Sequence, residues 1–268
     1  MNGLSTKVAE EGFLDYLHKF DICCLIETFT TQNFDFTKCF SEHVILHSPG
    51  VKLSGMGRCC GGVAVILKKT IADNVTKLSI HSDNIVAFRL CNSVLSEMIF
   101  IAVYIPPVDS PYYANKVSDC NITLLEDVML TLQEQFPRAN FIICGDLNAR
   151  IGQWILHSDE EDEDCLFDSH MLFESPVNSC SCNLFSKRKS LDKTVNKFGK
   201  ILQSFCKIHH CIILNGCTAS DSKGNNTYLS PHGESVVDYC LLVAPHLNHQ
   251  VDLAVAQRVE SDHMPLEI

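Results

Sequence analysis

Four short stretches of this chain set polar residues at the ends of apolar runs, where a rigid strand fixes a side chain at its tip. Glu27 follows Ile22-Cys23-Cys24-Leu25-Ile26, and a carboxylate placed there suits a hard divalent cation. Asp146 and Asn148 follow Phe141-Ile142-Ile143-Cys144-Gly145. Gly145 permits a tight turn, and alternation points the acid and the amide to one side. There they can hold a water or a phosphate oxygen while the acid takes a proton. Asp238 lies inside Ser235-Val236-Val237-Asp238-Tyr239-Cys240-Leu241-Leu242-Val243, where an unpaired acid is expensive. A histidine is its natural partner, because a carboxylate fixes the tautomer and supports the protonated ring. Asp262-His263, just ahead of Met264-Pro265-Leu266, offers a carboxylate and an imidazole.

Each residue alone has a plainer explanation: a cap or surface acid for Glu27, an Asx cap for Asp146 and Asn148, a structural ion pair for Asp238, a structural ring for His263. Together, two acids for a hard cation, an Asp/Asn pair and an Asp-supported histidine fit metal-assisted phosphoester hydrolysis. The sequence has no Gly-rich phosphate loop, no Gly-x-Ser-x-Gly elbow and no Cys/His nucleophile pattern, so an activated water is preferred to a covalent intermediate.

The elements that must position these residues alternate between strands and helices. Apolar positions 13, 14, 17 and 20 predict one helical face over Lys7 to Phe20, and similar spacing predicts helices over Cys120 to Phe136 and Thr194 to Ile208. Strands are expected at 22–26, 63–67, 75–80, 84–91, 97–104, 140–144, 211–214, 226–229, 235–243 and 251–256, with a last one after Pro265. The pattern predicts two packed sheets with helices outside. No linker divides the chain, so residues 1–268 are expected to form one domain. Residues 152–192, polar, acidic and without periodicity, are expected to be a surface insertion.

Composition bounds the function. The 268 residues carry 21 Lys+Arg against 32 Asp+Glu, a formal net charge of −11. That weakens nucleic-acid binding by bulk charge without excluding it, since six of the acids form one run, Asp159 to Asp164, the signature of a solvated loop. No apolar run approaches the roughly 20 residues a bilayer needs, and the start Met1-Asn2-Gly3-Leu4-Ser5 lacks a secretory pattern. An intracellular protein, nuclear or cytoplasmic, without membrane association is expected. The 15 cysteines are odd in number, and Cys23, Cys24, Cys91, Cys144, Cys211 and Cys240 lie in apolar runs, so buried reduced thiols are expected. Cys180, Cys182, His209 and His210 come nearest to a zinc set, but their spacing fits neither a finger nor a ribbon.

Taken in order, seven segments resemble the endonuclease/exonuclease/phosphatase family, the DNase-I-like fold, and most closely the apurinic-type endonuclease domain of LINE-type retrotransposons. They are Asp21 to Thr28, Gly61-Gly62-Val63, Val103 to Pro107, Gly145 to Gly152, Asn196-x-x-Gly199 with Leu214-Asn215-Gly216, Ser235 to Tyr239, and Ser261 to Pro265. The resemblance implies a four-layer α/β sandwich and a DNA-nicking enzyme dependent on Mg²⁺ or Mn²⁺, with DNA bound through its phosphate backbone and the chain acting as a monomer. It implies that Glu27 holds the metal, that Asp146 and Asn148 position and activate the water, and that His263, oriented by Asp238, contacts the scissile phosphate. Tyr104 and Asp262 would complete the phosphate and metal shell, with Asn2 a further metal-side residue. Thr227 and Ser235 would assist near the DNA backbone. The same fold hosts inositol-phosphate and sphingolipid phosphodiester chemistry, and a catalytically silent retrotransposon relict or binding module is the reading from another class.

One departure concerns the start. The family pattern opens with a buried strand ending Asn-Val-(Asn/Asp)-Gly-Leu, and this sequence opens at Met1-Asn2-Gly3-Leu4. The first asparagine of that pattern has no counterpart here. One preorganised contact of this kind is typically worth on the order of 10²–10³ in rate, so a slowed nuclease is expected.

Overall fold

The computed structural model describes residues 3–10, 12–53, 57–80, 82–91, 97–114, 121–155, 188–244 and 251–268. A three-stranded antiparallel sheet has the order β1 (Ile22–Ile26), β3 (Val63–Lys68), β2 (His43–Ser48). A six-stranded mixed sheet has the order β4 (Val75–Leu78), β5 (Ile85–Leu90), β6 (Met98–Tyr104), β7 (Asn140–Asp146), β11 (Asp238–Val243), β8 (Ile212–Ile213). Within it β6 and β7 run parallel and the other pairs antiparallel. Two small antiparallel ribbons pair β9 (Tyr228–Ser230) with β10 (Gly233–Ser235) and β12 (Ala254–Val255) with β13 (Leu266–Glu267).

Period-two alternation on β6 explains why the large sheet is covered on both faces. Ile99, Ile101 and Val103 face one side, where they join Phe141, Ile143 and Leu241 under the helices α5 (Asn121–Gln135) and α6 (Lys197–Ile208). Met98, Ala102 and Tyr104 face the other side, where they meet Val63, Val65 and Leu67 of the small sheet. The small sheet's outer face, through Cys23, Leu25 and Ile66, packs on Leu4, Phe13 and Leu17 of the short helices α1 (Leu4–Lys7) and α2 (Phe13–Leu17). Two further single-turn helices, α3 (Lys69–Ala72) and α4 (Pro111–Ala114), follow β3 and β6.

Of the expected helix over 7–20, Phe13–Leu17 is helical, as α2; Gly12, at φ 75° in the left-handed region, is its N-cap and separates it from α1, which ends at Lys7. The strand His43–Ser48 was not expected; two histidines bracket only three apolar residues there. The run 235–243 is not one strand: β10 ends at Ser235 and β11 begins at Asp238. The C-terminal end of the expected surface insertion is not on the surface, since Arg188, Ser190 and Asp192 are buried; residues 156–187 lie outside the described residues. Cys91 is exposed rather than buried, one residue past the end of β5.

Gly145 carries the geometry of the active end. It sits at φ 150°, and a Cβ there would lie 1.8 Å from the carbonyl oxygen of Val103 on the neighbouring strand. Backbone cannot yield as a flexible side chain can. We therefore expect Gly145→Ala to cost about 3 kcal/mol or more, read as a fall in the urea midpoint of unfolding; an unchanged midpoint would contradict this account.

Candidate active site

Three strand ends and one strand start meet at a single edge of the two-sheet core. β1 delivers Glu27, β6 ends on Tyr104, β7 ends on Asp146 and β11 begins with Asp238. In the antiparallel ladder Asp238 is the direct partner of Asp146, and in the parallel ladder Tyr104 is. The two aspartates are 5% and 2% exposed.

His263 Nδ1 donates to Asp238, 2.9 Å from Oδ2 and 3.1 Å from Oδ1. Burial works against the imidazolium, but the Asp238 hydrogen bond and charge, with the charge of Asp146, outweigh it and push His263 up to about 9. Asp146 moves well above the usual carboxylate range, first through burial and then through the facing charge of Asp238, with Glu27 adding to it; His263 and the Asn148 N–H pull the other way. The ring of Tyr228 lies 4.9 Å from that of His263, tilted by 59°.

Asn148 holds Asp146 in place. Its backbone N–H donates to Oδ1 at 2.8 Å, and its amide donates to Oδ2 at 3.0 Å and to the carbonyl of Ile105 at 2.8 Å. On the other side of the cleft the Tyr104 hydroxyl donates to Glu27 Oε1 at 2.5 Å. Burial and then the Glu27 charge hold that phenol protonated. Glu27, Phe29 and Asn148 all take left-handed backbone, with φ 53°, 51° and 46°, a conformation that costs a non-glycine residue of order 1–3 kcal/mol and clusters at functional sites.

Of the residues expected from sequence, Glu27, Tyr104, Asp146, Asn148, Asp238 and His263 come together. Among the described residues, the acids and imidazole whose ligand atoms converge within 4.8 Å of one another are Asp146, Asp238 and His263. Asp262 is half-buried beside His263, with its carbonyl accepting the Leu229 N–H and its carboxylate accepting Ser261 Oγ at 3.4 Å. Asn2 lies outside the described residues. Thr227 and Ser235 are placed differently from the expectation that they reach a substrate backbone, because both are buried. The Thr227 hydroxyl accepts the N–H groups of Val237 at 3.1 Å and Asp238 at 3.0 Å, and its carbonyl accepts Met264 N–H at 2.7 Å. Thr227 thus fastens Asp238 and His263 to each other from below.

A supporting set went unforeseen. The buried carboxylate of Asp192 takes two hydrogen bonds from Arg150, at 2.8 and 2.7 Å, and one each from the N–H groups of Thr194 and Val236. Asn196 caps α6 through the Gly199 N–H and also bonds the Arg150 N–H and the Asn148 carbonyl. Asn196-x-x-Gly199 ahead of a helix was a legible cap signal. Asp192, in a polar stretch, carried none.

Residues 1–263 match the model of the Endonuclease/Exonuclease/phosphatase family. No curated protein matches. Solved structures share the fold at low identity. The AP endonuclease LMAP from Leishmania major superposes with a TM-score of 0.66 at 12% identity, over 98% of this chain and 83% of that one. An AP endonuclease from Archaeoglobus fulgidus gives 0.60 at 15%, over 99% and 94%. The endonuclease domain of TRAS1, a telomere-specific non-LTR retrotransposon, gives 0.58 at 16%, over 99% and 91%.

Two outcomes follow from the hydrogen bonds and charges. Thr227→Val leaves the buried N–H groups of Val237 and Asp238 without a partner, at roughly 1–3 kcal/mol each; a drop below about 1 kcal/mol in urea unfolding would refute the fastening role. His263 binds its proton more tightly folded than unfolded, so its contribution is complete below pH 6.5 and is lost as pH rises through about 9. Asp146, also raised, acts in the same sense from lower pH. In EDTA the melting temperature should fall across that window, and Asp238→Asn should flatten the fall.

Proposed function

The chain belongs to the endonuclease/exonuclease/phosphatase family, whose members are phosphodiester-hydrolysing nucleases and phosphatases, and on that premise we propose that it nicks DNA by metal-dependent hydrolysis, as a nuclease of the retrotransposon type. One observation carries the reading: two buried carboxylates at facing ladder positions with a charged histidine on one of them, Asp146–Asp238–His263. The succession of short helices, small sheet, large sheet and long helices corresponds to a four-layer sandwich. Relatives of this fold include an enzyme described as a 3′ phosphatase bound to product DNA hairpin, which supports a phosphorylated DNA strand as substrate. No described helix is long and apolar enough to cross a membrane.

The donor set suits a hard cation, because carboxylate oxygens dominate it and Asp146 and Asp238 face each other without a basic side chain between them but His263. Glu27, Asp146 and Asp238 would hold Mg²⁺ or Mn²⁺, which when bound supplies positive charge for the phosphate oxygens and favours ionisation of water. Asp146 takes the proton of the attacking water, and Asn148 keeps its carboxylate oriented. His263, protonated at neutral pH, holds an oxygen of the scissile phosphate and neutralises charge that develops there. Asp238 keeps the ring turned and charged. Tyr104, a hydroxyl that stays protonated, fixes the Glu27 carboxylate from the other sheet.

Supercoiled plasmid is the direct test. Nicking should require Mg²⁺ or Mn²⁺, stop in EDTA, and fall by about 10³ or more in His263→Ala and in Asp146→Asn. A folded protein that leaves the plasmid closed in both metals would remove the nuclease reading and leave a silent relict of the family.

A further inference from the structure

Charge is spread unevenly along the chain. Residues 43–72 hold Lys52, Arg58, Lys68 and Lys69 and no acid, in a sequence with 32 Asp+Glu. Lys68 and Lys69 are answered from outside that stretch, by Asp21 at 2.9 Å and Glu42 at 3.3 Å. Lys52 and Arg58 are exposed, and among the described residues neither side chain makes an ion pair or a hydrogen bond.

The segment that carries these two cations is rooted on the candidate active site. Val51 and Cys60 pair antiparallel, each N–H donating to the other's carbonyl at 2.8 Å. At the foot of that bridge the Phe29 N–H donates to the Gly61 carbonyl at 2.9 Å, the Thr28 N–H to that of Gly62 at 3.1 Å, and the Gly50 N–H to that of Thr30 at 2.9 Å. Its anchors are thus the three residues that follow Glu27. Gly61 also lies against Tyr104, since a Cβ there would be 3.4 Å from the Tyr104 ring. Out from this root, Cζ of Arg58 sits 4.3 Å from the centroid of the Phe29 ring. Phe29 is two residues from Glu27, a span of at most about 7 Å.

We propose that Arg58, seated on Phe29, and Lys52 on the opposite arm form a second phosphate site of this cleft, which takes a backbone phosphate flanking the scissile one. The inference rests on the DNA reading above. An aromatic ring beneath a guanidinium covers one face and leaves the N–H edge open for two phosphate oxygens. Arg58 is held on that ring and not on the nearby Glu27 carboxylate, so its charge is available to a ligand. Phosphates recur about every 3.4 Å along the axis of a strand, so a strand engaged by Glu27 and His263 carries a neighbouring phosphate past this root. Two unpaired cations there offset part of the repulsion that the acidic cleft presents to the same strand.

Anisotropy of a fluorescein-labelled DNA duplex of about 20 base pairs, in Mg²⁺ and in a His263→Ala background that keeps the duplex intact, tests the site. Arg58→Ala should raise Kd about tenfold and lower the slope of log affinity against log salt by about 1, and adding Lys52→Ala should lower it by about 1 more. Arg58→Lys keeps the charge without the stacked fork, so it should restore the slope but not the affinity. Phe29→Leu should raise Kd about threefold with the slope unchanged. Lys207→Ala, exposed near the C-terminal end of α6, should change neither. The Arg58 and Lys52 variants should keep the melting temperature of the background chain. An Arg58→Ala Kd and slope equal to those of Lys207→Ala, unchanged or lowered alike, would overturn the assignment. Plasmid left closed by the unsubstituted chain while Arg58-dependent binding persists would remove the nicking reaction and keep this site; nicked plasmid with binding indifferent to Arg58 would do the reverse.

Discussion

Two buried carboxylates stand directly opposite each other on neighbouring strands, and the rest of the structure follows from that placement. Like charges at facing ladder positions repel, and burial strengthens the repulsion. Asp146 and Asp238 cannot move apart, because the β7–β11 ladder runs unbroken down to Val243 and is clamped by Phe141, Ile143 and Leu241 under the helices. The repulsion is met by local positive charge and by oriented donors instead. His263 brings a proton to Asp238, Asn148 turns two N–H groups on Asp146, and the Asp146 proton affinity rises to absorb what remains. A pair of acids arranged in this way is poorly satisfied by protons alone and well satisfied by a divalent cation.

The supports of that pair come from polar side chains that reach across the fold, not from the sheet itself. The Thr227 hydroxyl accepts backbone N–H groups from the segment that begins β11, and its carbonyl accepts the Met264 N–H from the segment that carries His263. Asp192 ties Arg150, just past Asn148, to Val236, just before Asp238. Asn196 ties the Asn148 carbonyl to the start of α6. The left-handed backbone at Asn148 is held by its own bonds to Asp146 and Ile105 and by Asn196 on its carbonyl. Glu27 itself reaches the site from the other sheet, and its registration against Asp146 depends on Tyr104 spanning the gap.

Those two tiers differ in how far the sequence reveals them. Glu27, Asp146 and Asp238 were legible because a polar residue beside an apolar run is a local pattern, and His263 because an acid buried in a strand demands a partner. Tyr104 was named by family resemblance alone, and its hydroxyl lies on Glu27. Thr227 was singled out for the wrong duty: a hydroxyl looks the same in sequence whether it faces a ligand or backbone ten and eleven residues on. Asp192 was invisible inside a stretch whose polarity signals a surface, although its carboxylate is buried against Arg150. The helix over 7–20 was overdrawn at both ends: it runs from Phe13 to Leu17, and apolar spacing registers neither the left-handed Gly12 before it nor the turn after it. The misreadings of Thr227 and Asp192 have one cause: local pattern reports which side of an element is apolar, while the partner of a polar atom is decided in three dimensions.

The charge of the molecule then bears on how a phosphate could enter at all. A chain with a formal charge of −11 repels a polyanion over most of its surface, and the site repeats the problem at short range with Glu27, Asp146 and Asp238 in one cleft. His263 supplies one positive charge against three carboxylates. A phosphodiester brought into that cleft adds a fourth negative charge, and a single imidazolium cannot offset it at the dielectric of a half-buried site. The arrangement becomes hospitable to phosphate only when a divalent cation sits among the acids, where it answers the carboxylates and the phosphate together. The metal dependence proposed for this chain thus follows from the ladder register that sets Asp146 against Asp238.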